Sequence, residues 1–304
     1  VLLALEMPEM NGLEFLKARK ERGIRVPVII LSSIAKKGAE ITMEALSLGA
    51  SDFIMKPSGS VSEDIHTVGG HLVELLRGVG GNYRRERNLP VAAPPREPVV
   101  APEEIAPPPK REEAPREEAA LEERRPQATA EALKPPRLIT PRAKPGAIEA
   151  VALGISTGGP NALRRLFAEI DGELNVPVLV VQHMPAGFTS EFAKSLDRIC
   201  PLEVREAQDG DLLKPNRVLI APGNRHMKVE RKSLAVVARI VESAPVNGHR
   251  PSVDVLFESV AEAFGNNALA VIMTGMGRDG ARKIGDIYEA GGITVAQNQA
   301  SSVV

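Results

Sequence analysis

No disulfide can form within this chain, because its 304 residues include a single cysteine, Cys200. One lone thiol gives no sign of an oxidising compartment, where paired cysteines are common. Positive charge is not in excess either: 38 Lys and Arg face 39 Asp and Glu, a formal net charge of -1. A nucleic-acid binder needs a clear cationic surplus to engage phosphates, so that class is disfavoured. No apolar run approaches the roughly 18 residues that span a bilayer, and no basic-then-apolar leader opens the chain. The expectation is a cytoplasmic protein with no membrane insertion. Aromatic residues are missing altogether between Tyr83 and Phe167.

That gap coincides with a proline cluster, 14 of the 25 prolines lying between Pro90 and Pro145. Its centre, from Lys110-Arg111-Glu112-Glu113 to Arg124-Arg125, alternates charge signs with almost no large apolar side chain. Such a stretch buries too little surface to offset an ordering cost of about 1–2 kcal/mol per residue. It reads as an extended, disordered linker over 83–146, with a transient helix over 112–125 as its one local pattern. On either side, 43% hydrophobic composition supplies a core, and a prior of about 150 residues per domain suggests two of them. The expected domains are 1–82 and 147–304. Val1–Leu5 reads as a strand already under way and Ser301-Ser302-Val303-Val304 as the start of another element, so both ends read as cut.

Strands and helices alternate in each domain. In the first, strands are expected at Val1–Leu5, Val26–Leu31 and Asp52–Met55, with helices over Gly12–Arg22, 37–48 and 62–76. In the second, strands are expected at Ala150–Ile155, Val178–Val181, Ser233–Ile240, Ala268–Met273 and Ile293–Ala296. Helices are expected after Pro160, over Thr189–Ile199, after Ser252 and over Gly280–Ala290, and turn signals at Asp209-Gly210-Asp211 and Pro222-Gly223-Asn224 suggest short hairpin strands. This order implies α/β architecture, two doubly wound parallel-sheet domains with right-handed crossovers.

Three polar residues stand directly after buried strands: Ser156, His183 and, beyond a glycine-rich turn, Asp279. Ligands of open parallel sheets bind beyond the carboxyl ends of strands at a topological switch point. If the three strands are neighbours, a hydroxyl, an imidazole and a carboxylate converge on one rim, as nucleophilic acyl transfer requires. Each residue also has a plain structural reading. Ser156 and Asp279 can cap the helices that follow them, and His183 can be a hydrogen-bonded core residue. Gly154-Ile155-Ser156-Thr157-Gly158 fits the nucleophile-elbow pattern, but the order Ser, His, Asp departs from that of α/β-hydrolases. No P-loop or dinucleotide fingerprint is present, and His226 and His249 form no metal-ligand spacing with Cys200. Both histidines are read as non-catalytic.

Six blocks, in order, resemble the CheB family of chemotaxis response regulators with protein-glutamate methylesterase activity. They are Gly154–Gly159, Gln182-His183-Met184, Ala221–His226, Asn247–Asp254, Thr274–Gly280 and Ala296-Gln297-Asn298. The first domain resembles the receiver module of the same family through Glu6-Met7-Pro8-Glu9-Met10-Asn11-Gly12, Ser32-Ser33 and Lys56-Pro57. The resemblance implies a partial flavodoxin-like receiver joined to a methylesterase domain that acts on methyl-accepting chemotaxis receptors. It makes Ser156 the nucleophile, His183 the general base and Asp279 its orienting carboxylate, with no metal or organic cofactor for the ester chemistry. Backbone N–H groups near Thr157 and in the Gly275-Met276-Gly277 turn become oxyanion donors, each worth roughly 3–4 kcal/mol of barrier if well aimed. Arg250 and Met276 become substrate-contact positions, against surface charge and core packing as their structural readings.

The receiver departs from its family at one position. The phospho-accepting Asp would stand two residues before Glu6, and Ala4 occupies that place. Ser32 and Lys56 match the hydroxyl and ammonium that sense the phosphoryl group, while the acidic pair that holds Mg²⁺ in an intact receiver would precede Val1. A chemotaxis histidine kinase is the implied phosphodonor, yet alanine accepts no phosphoryl group. The expectation is weakened regulation, or regulation through partner binding. Three other function classes compete: a non-catalytic receptor-docking module, a small-molecule serine esterase and a receiver-coupled transcription factor. The charge balance and the lack of a basic recognition helix disfavour the last.

Overall fold

The computed structural model describes residues 1–32, 36–56, 64–89 and 140–303, without the side chains of residues 36, 64–67 and 86. Ser33, Pro57 and residues 90–139 of the expected linker lie outside them. The first segment alternates strand and helix: β1 (Leu2–Ala4), α1 (Gly12–Glu21), β2 (Ile29–Ser32), α2 (Lys36–Ser47), β3 (Asp52–Met55) and α3 (Asp64–Glu86). Its strands pair in the order β1-β2-β3, all parallel. A capping box starts α1, Asn11 Oδ1 accepting from Glu14 N at 3.0 Å while Glu14 accepts from Asn11 N at 2.9 Å. Leu16 is then fully buried with Leu3, Val28 and Ile30.

Two elements differ from expectation. β2 begins three residues later than Val26, past Pro27, which has no N–H to give a ladder. α3 runs ten residues beyond Leu76, into the stretch expected to open the linker. Gly78, Gly80 and Gly81 each cost a helix about 1 kcal/mol, which argues for a stop. Tertiary packing overrides that cost: Leu75 and Val79 are buried against Ile29 and Ile54.

The second segment builds β4 (Ala150–Ile155), α4 (Gly159–Glu169), β5 (Val178–Gln182), α5 (Phe188–Asp197), β6 (Glu203–Glu206), β7 (Arg217–Ile220), β8 (His226–Arg231) and β9 (Val236–Val241). It continues with α6 (Val253–Phe264), β10 (Ala268–Ile272), α7 (Ile284–Glu289) and β11 (Ile293–Ala296). Six strands form one sheet in the order β11-β10-β4-β5-β7-β6, every neighbouring pair parallel. The chain starts at β4, winds outward through β5 to β6, then returns to the other side of β4 with β10. The switch point therefore lies between β4 and β10. Phe167, Phe188 and Phe192 of α4 and α5 fill one face, and Leu256, Phe257 and Val260 of α6 fill the other.

The hairpins expected around the Asp209 and Pro222 turns are not formed by β6 and β7. These are parallel strands of the main sheet, β6 at its edge and β7 between β6 and β5, and the antiparallel pair is β8 with β9. α7 begins at Ile284 rather than Gly280, whose φ of 92° is not helical. Residues 140–146, expected as linker, lie along the second segment: Arg142 N donates to Glu289 O at 2.8 Å and Gly146 N to Asn266 O at 3.0 Å.

The two segments share one hydrophobic cluster, within which Phe53 of β3 stacks on Phe188 of α5, centroids 5.2 Å apart. Polar contacts adjoin it. Asn161 Nδ2 of α4 donates to the carbonyls of Ala50 and Ser51, each at 2.7 Å. Asp52 Oδ2 accepts from Gly158 N at 2.7 Å, and Asp52 Oδ1 from Phe53 N at 2.8 Å. Gly158 is the N-cap of α4 and has no side chain with which to cap it, so a carboxylate from the other segment meets that helix end. Burial pushes the Asp52 carboxyl up to about 6, against the opposing pull of the two N–H donors.

Candidate active site

β4, β5 and β10 are adjacent, so the loops at their carboxyl ends meet over the switch point. Ser156 directly follows β4, and its N–H donates to Thr274 O at 3.0 Å, tying it to the loop after β10. His183 directly follows β5. His183 Nδ1 lies 3.1 Å from Ser156 Oγ, and His183 Nε2 lies 2.8 Å from Asp279 Oδ2. An ionised carboxylate only accepts, so Nε2 carries the proton and Nδ1 is left to accept from the serine hydroxyl. The imidazole is largely covered, its side chain 12% exposed, and the Asp279 side chain is 1% exposed.

Neither capping role holds for the two oxygen-bearing residues. α4 is capped at Gly158, not at Ser156, and α7 begins four residues beyond Gly280. Asp279 instead closes the N-terminus of α6. Its carboxylate accepts from Val253 N at 2.6 Å, Asp254 N at 3.2 Å and Ser252 Oγ at 2.7 Å. Asn247 Nδ2 adds a further bond to Asp279 Oδ1 at 2.8 Å. Burial alone would raise this carboxyl. The donors from His183, Ser252, Asn247 and Val253 outweigh it and hold Asp279 well below the usual carboxylate range. The acid is therefore a fixed anion beside the imidazole at any neutral pH.

The glycine-rich loop lies against Ser156. A Cβ on Gly275 would stand 2.8 Å from Ser156 Cβ, closer than side chains tolerate, so only glycine lets this turn approach. Thr274 Oγ1 donates to Thr157 O at 3.0 Å, joining the two loops again. The N–H groups of Thr157 and Met276 donate to no acceptor among the described residues. Gln182, 2% exposed, ties the first two loops: its Nε2 donates to Ser156 O at 3.0 Å and to His183 O at 3.2 Å.

The remaining expected site residues fall elsewhere. Arg250 turns its guanidinium to Asn224 Oδ1, at 2.6 Å from its closest nitrogen, and to Ser243 O at 2.8 Å. His226 is fully buried and structural, Nε2 meeting Ala244 O at 3.1 Å and Nδ1 accepting from Ser252 N at 3.2 Å. His249 lies flat on His183, centroids 3.8 Å apart. In the first segment, Ser32 is fully buried and its hydroxyl pairs with Thr42 Oγ1 at 2.7 Å. Ala4 presents a methyl group at the end of β1. Among the described residues no three His, Cys, Asp or Glu side chains converge as metal ligands.

Sequence reasoning gave no part in the site to Asp52, Gln182 or Asn247 and took Ser252 as the cap of the helix that follows. Ser252 does stand at that N-cap, but its hydroxyl donates to Asp279 Oδ1 and not to the helix backbone. The Asn247-Gly248 pair was a legible turn signal, but nothing local says that its side chain would reach a carboxylate thirty-two residues later.

Residues 151–304 match the family model described as CheB methylesterase, and residues 1–66 match that of the response regulator receiver domain. A protein-glutamate methylesterase/protein-glutamine glutaminase of Treponema denticola is 50% identical over 307 residues, covering 100% of this chain and 77% of that protein. One of the same description, numbered 2, from Pseudomonas aeruginosa is 38% identical over 305 residues, covering 100% of this chain and 74% of that protein. Among solved structures, the Thermotoga maritima CheB methylesterase catalytic domain aligns with a TM-score of 0.51 at 36% identity, over 52% of this chain and 84% of that one.

Proposed function

The chain belongs to the CheB methylesterase family of hydrolases, and from that premise we propose that it cleaves glutamate methyl esters on chemoreceptors in the cytoplasm, and deamidates glutamine side chains there, through Ser156, His183 and Asp279. The observation that carries this reading is the unbroken relay from Ser156 Oγ through His183 to Asp279 over the switch point.

In the proposed reaction Ser156 Oγ attacks the side-chain carbonyl carbon while His183 Nδ1 takes the hydroxyl proton. The Asp279 carboxylate, accepting from Nε2, balances the charge that appears on the ring. The carbonyl electron pair moves onto oxygen, where the N–H groups of Thr157 and Met276 would receive it. Collapse expels the methoxy group, which leaves as methanol with the proton from Nδ1, or the amino group, which leaves as ammonia. A water molecule then gives its proton to Nδ1 and attacks the glutamyl ester on Ser156. Free glutamate side chain and serine are regenerated.

Chemoreceptors and the chemotaxis histidine kinase are the proposed partners. Position 4 carries no group that can take a phosphoryl from that kinase, so its influence would act through docking on the receiver. Methanol release from methyl-esterified receptor tests the reading. The full chain should release methanol and leave free glutamate methyl ester untouched. Turnover of the free ester would mark a small-molecule esterase, and no release from receptor would leave only a docking module.

A further inference from the structure

One tight turn touches two members of the relay at once, and we propose that Asn247 and His249 are positioning residues which hold the imidazole and carboxylate in register for the hydrolysis set out above, the reading on which this inference rests. Val246 and His249 exchange backbone hydrogen bonds, Val246 N to His249 O at 3.0 Å and His249 N to Val246 O at 2.9 Å. Between them Asn247 has a φ of 53° and Gly248 a φ of 77°. Two successive left-handed residues are what a two-residue turn of type I′ demands, and Asn followed by Gly adopts them at least cost. The turn is thus stiff and short.

Its two ends act on different groups. Asn247 Nδ2 donates to Asp279 Oδ1 and to Asp254 Oδ2, each at 2.8 Å. Asp254 is itself fixed, 4% exposed, with Oδ1 accepting from Lys283 N at 2.9 Å. The amide therefore locks the orienting carboxylate to the start of α6 and α7. At the other end the His249 ring lies on the His183 ring, centroids 3.8 Å apart and planes 9° from parallel. The two hydrogen bonds of His183 define only the line through its ring nitrogens, about which the ring can still tip. A flat ring in van der Waals contact blocks that tip on one side. Burial and the nearby His183 pull His249 below its usual pKa, against Asp279 and with His71, which favours a neutral ring beside one that becomes cationic. His249 makes no proton transfer in this scheme.

The test measures methanol release by the full chain on methylated receptor, with thermal melts to establish folding. His249→Ala should lower kcat on the order of ten- to hundredfold with KM within about twofold, since misplacing a reacting group by an ångström can cost that much. His249→Phe, which keeps the flat face and loses the nitrogens, should restore kcat to within about threefold of the parent. Asn247→Ala should lower kcat in the same way. A folded His249→Ala protein at parental kcat overturns the proposal, as does a folded His249→Phe protein as impaired as His249→Ala. If His249→Ala does not fold, His249→Phe decides alone: near-parental kcat supports the role and a large loss overturns it. Ser156→Ala, run alongside, separates the two readings. Activity surviving there sinks the serine mechanism itself, whereas inactivity there with parental His249→Ala sinks only the positioning role.

Discussion

The strand ends of the two sheets carry opposite contents. In the larger sheet β4, β5 and β10 lead into Ser156, His183 and Asp279, joined by contacts of 3.1 and 2.8 Å. In the smaller sheet β1 ends in Ala4, and β2 ends in Ser32, whose hydroxyl is turned into α2 toward Thr42. Each sheet has fully covered strand residues: Ile30 of β2 is as buried as Val180 and Val181 of β5. The contrast teaches that packing and chemistry are separable. A strand that ends in a methyl group joins a parallel sheet as well as one that ends in a hydroxyl, but it offers no oxygen for a reaction.

The comparison can be broken most decisively at the nucleophile. Ser156→Ala should stay folded and lose methanol release by a factor on the order of 10⁴–10⁶. A near-parental rate would mean that the larger sheet is as silent as the smaller one. Asp279→Asn comes next, with a loss on the order of 10⁴ expected because an amide can present its NH₂ to Nε2 and stabilise the wrong tautomer. Retention of even a tenth of the parental rate would show that the carboxylate is a helix cap and nothing more.

A smaller effect joins the two segments through Asp52. Burial raises this carboxyl from 3.8 to about 6, so the folded chain binds its proton at a pH where the unfolded chain has released it. Stability contributed by Asp52 is therefore fullest below 3.8 and is lost as pH rises through 6. The melting temperature of the parent relative to Asp52→Ala should accordingly rise between pH 7.5 and 4.5. A relative melting temperature that falls over that interval contradicts the buried carboxyl. The smallest effect is expected at the other strand end. A small phosphodonor should put no acyl phosphate on the receiver and change methanol release by less than about twofold. An acyl phosphate found there by intact mass would show that the receiver takes a phosphoryl group at a residue other than Ala4.

Much of the fold was legible because it is written in local patterns. Runs such as Val178–Val181 and Ala150–Ile155 are apolar throughout and become central strands buried on both faces. The misjudged places are those where contacts from elsewhere outweigh the local signal. Glycines near residue 80 argue against a helix that packing of Leu75 and Val79 then sustains. Strands β6 and β7 look like hairpin partners beside their turns, yet they pair in parallel, β7 lying between β5 and the edge strand β6. The site divides in the same way: Ser156, His183 and Asp279 are visible as polar residues after buried strands, while Asn247, Ser252 and Gln182 act only through neighbours distant in the chain.

By itself the order of residues determined the alternation of strand and helix, the resemblance of both segments to their families and the placing of Ser156 and His183 directly after buried strands and of Asp279 after a glycine-rich turn. Apolar periodicity and strand-end placement act over a few residues, so they can be read along a line. Only the tertiary structure decided that β4 lies between β5 and β10, that Nδ1 of His183 faces Ser156 while Nε2 faces Asp279, and that Asp52 meets the end of α4 close to Ser156 in the chain. Those facts depend on strand order, crossover and the burial of charge against its hydrogen-bond donors, which exist only once distant parts of the chain are packed together.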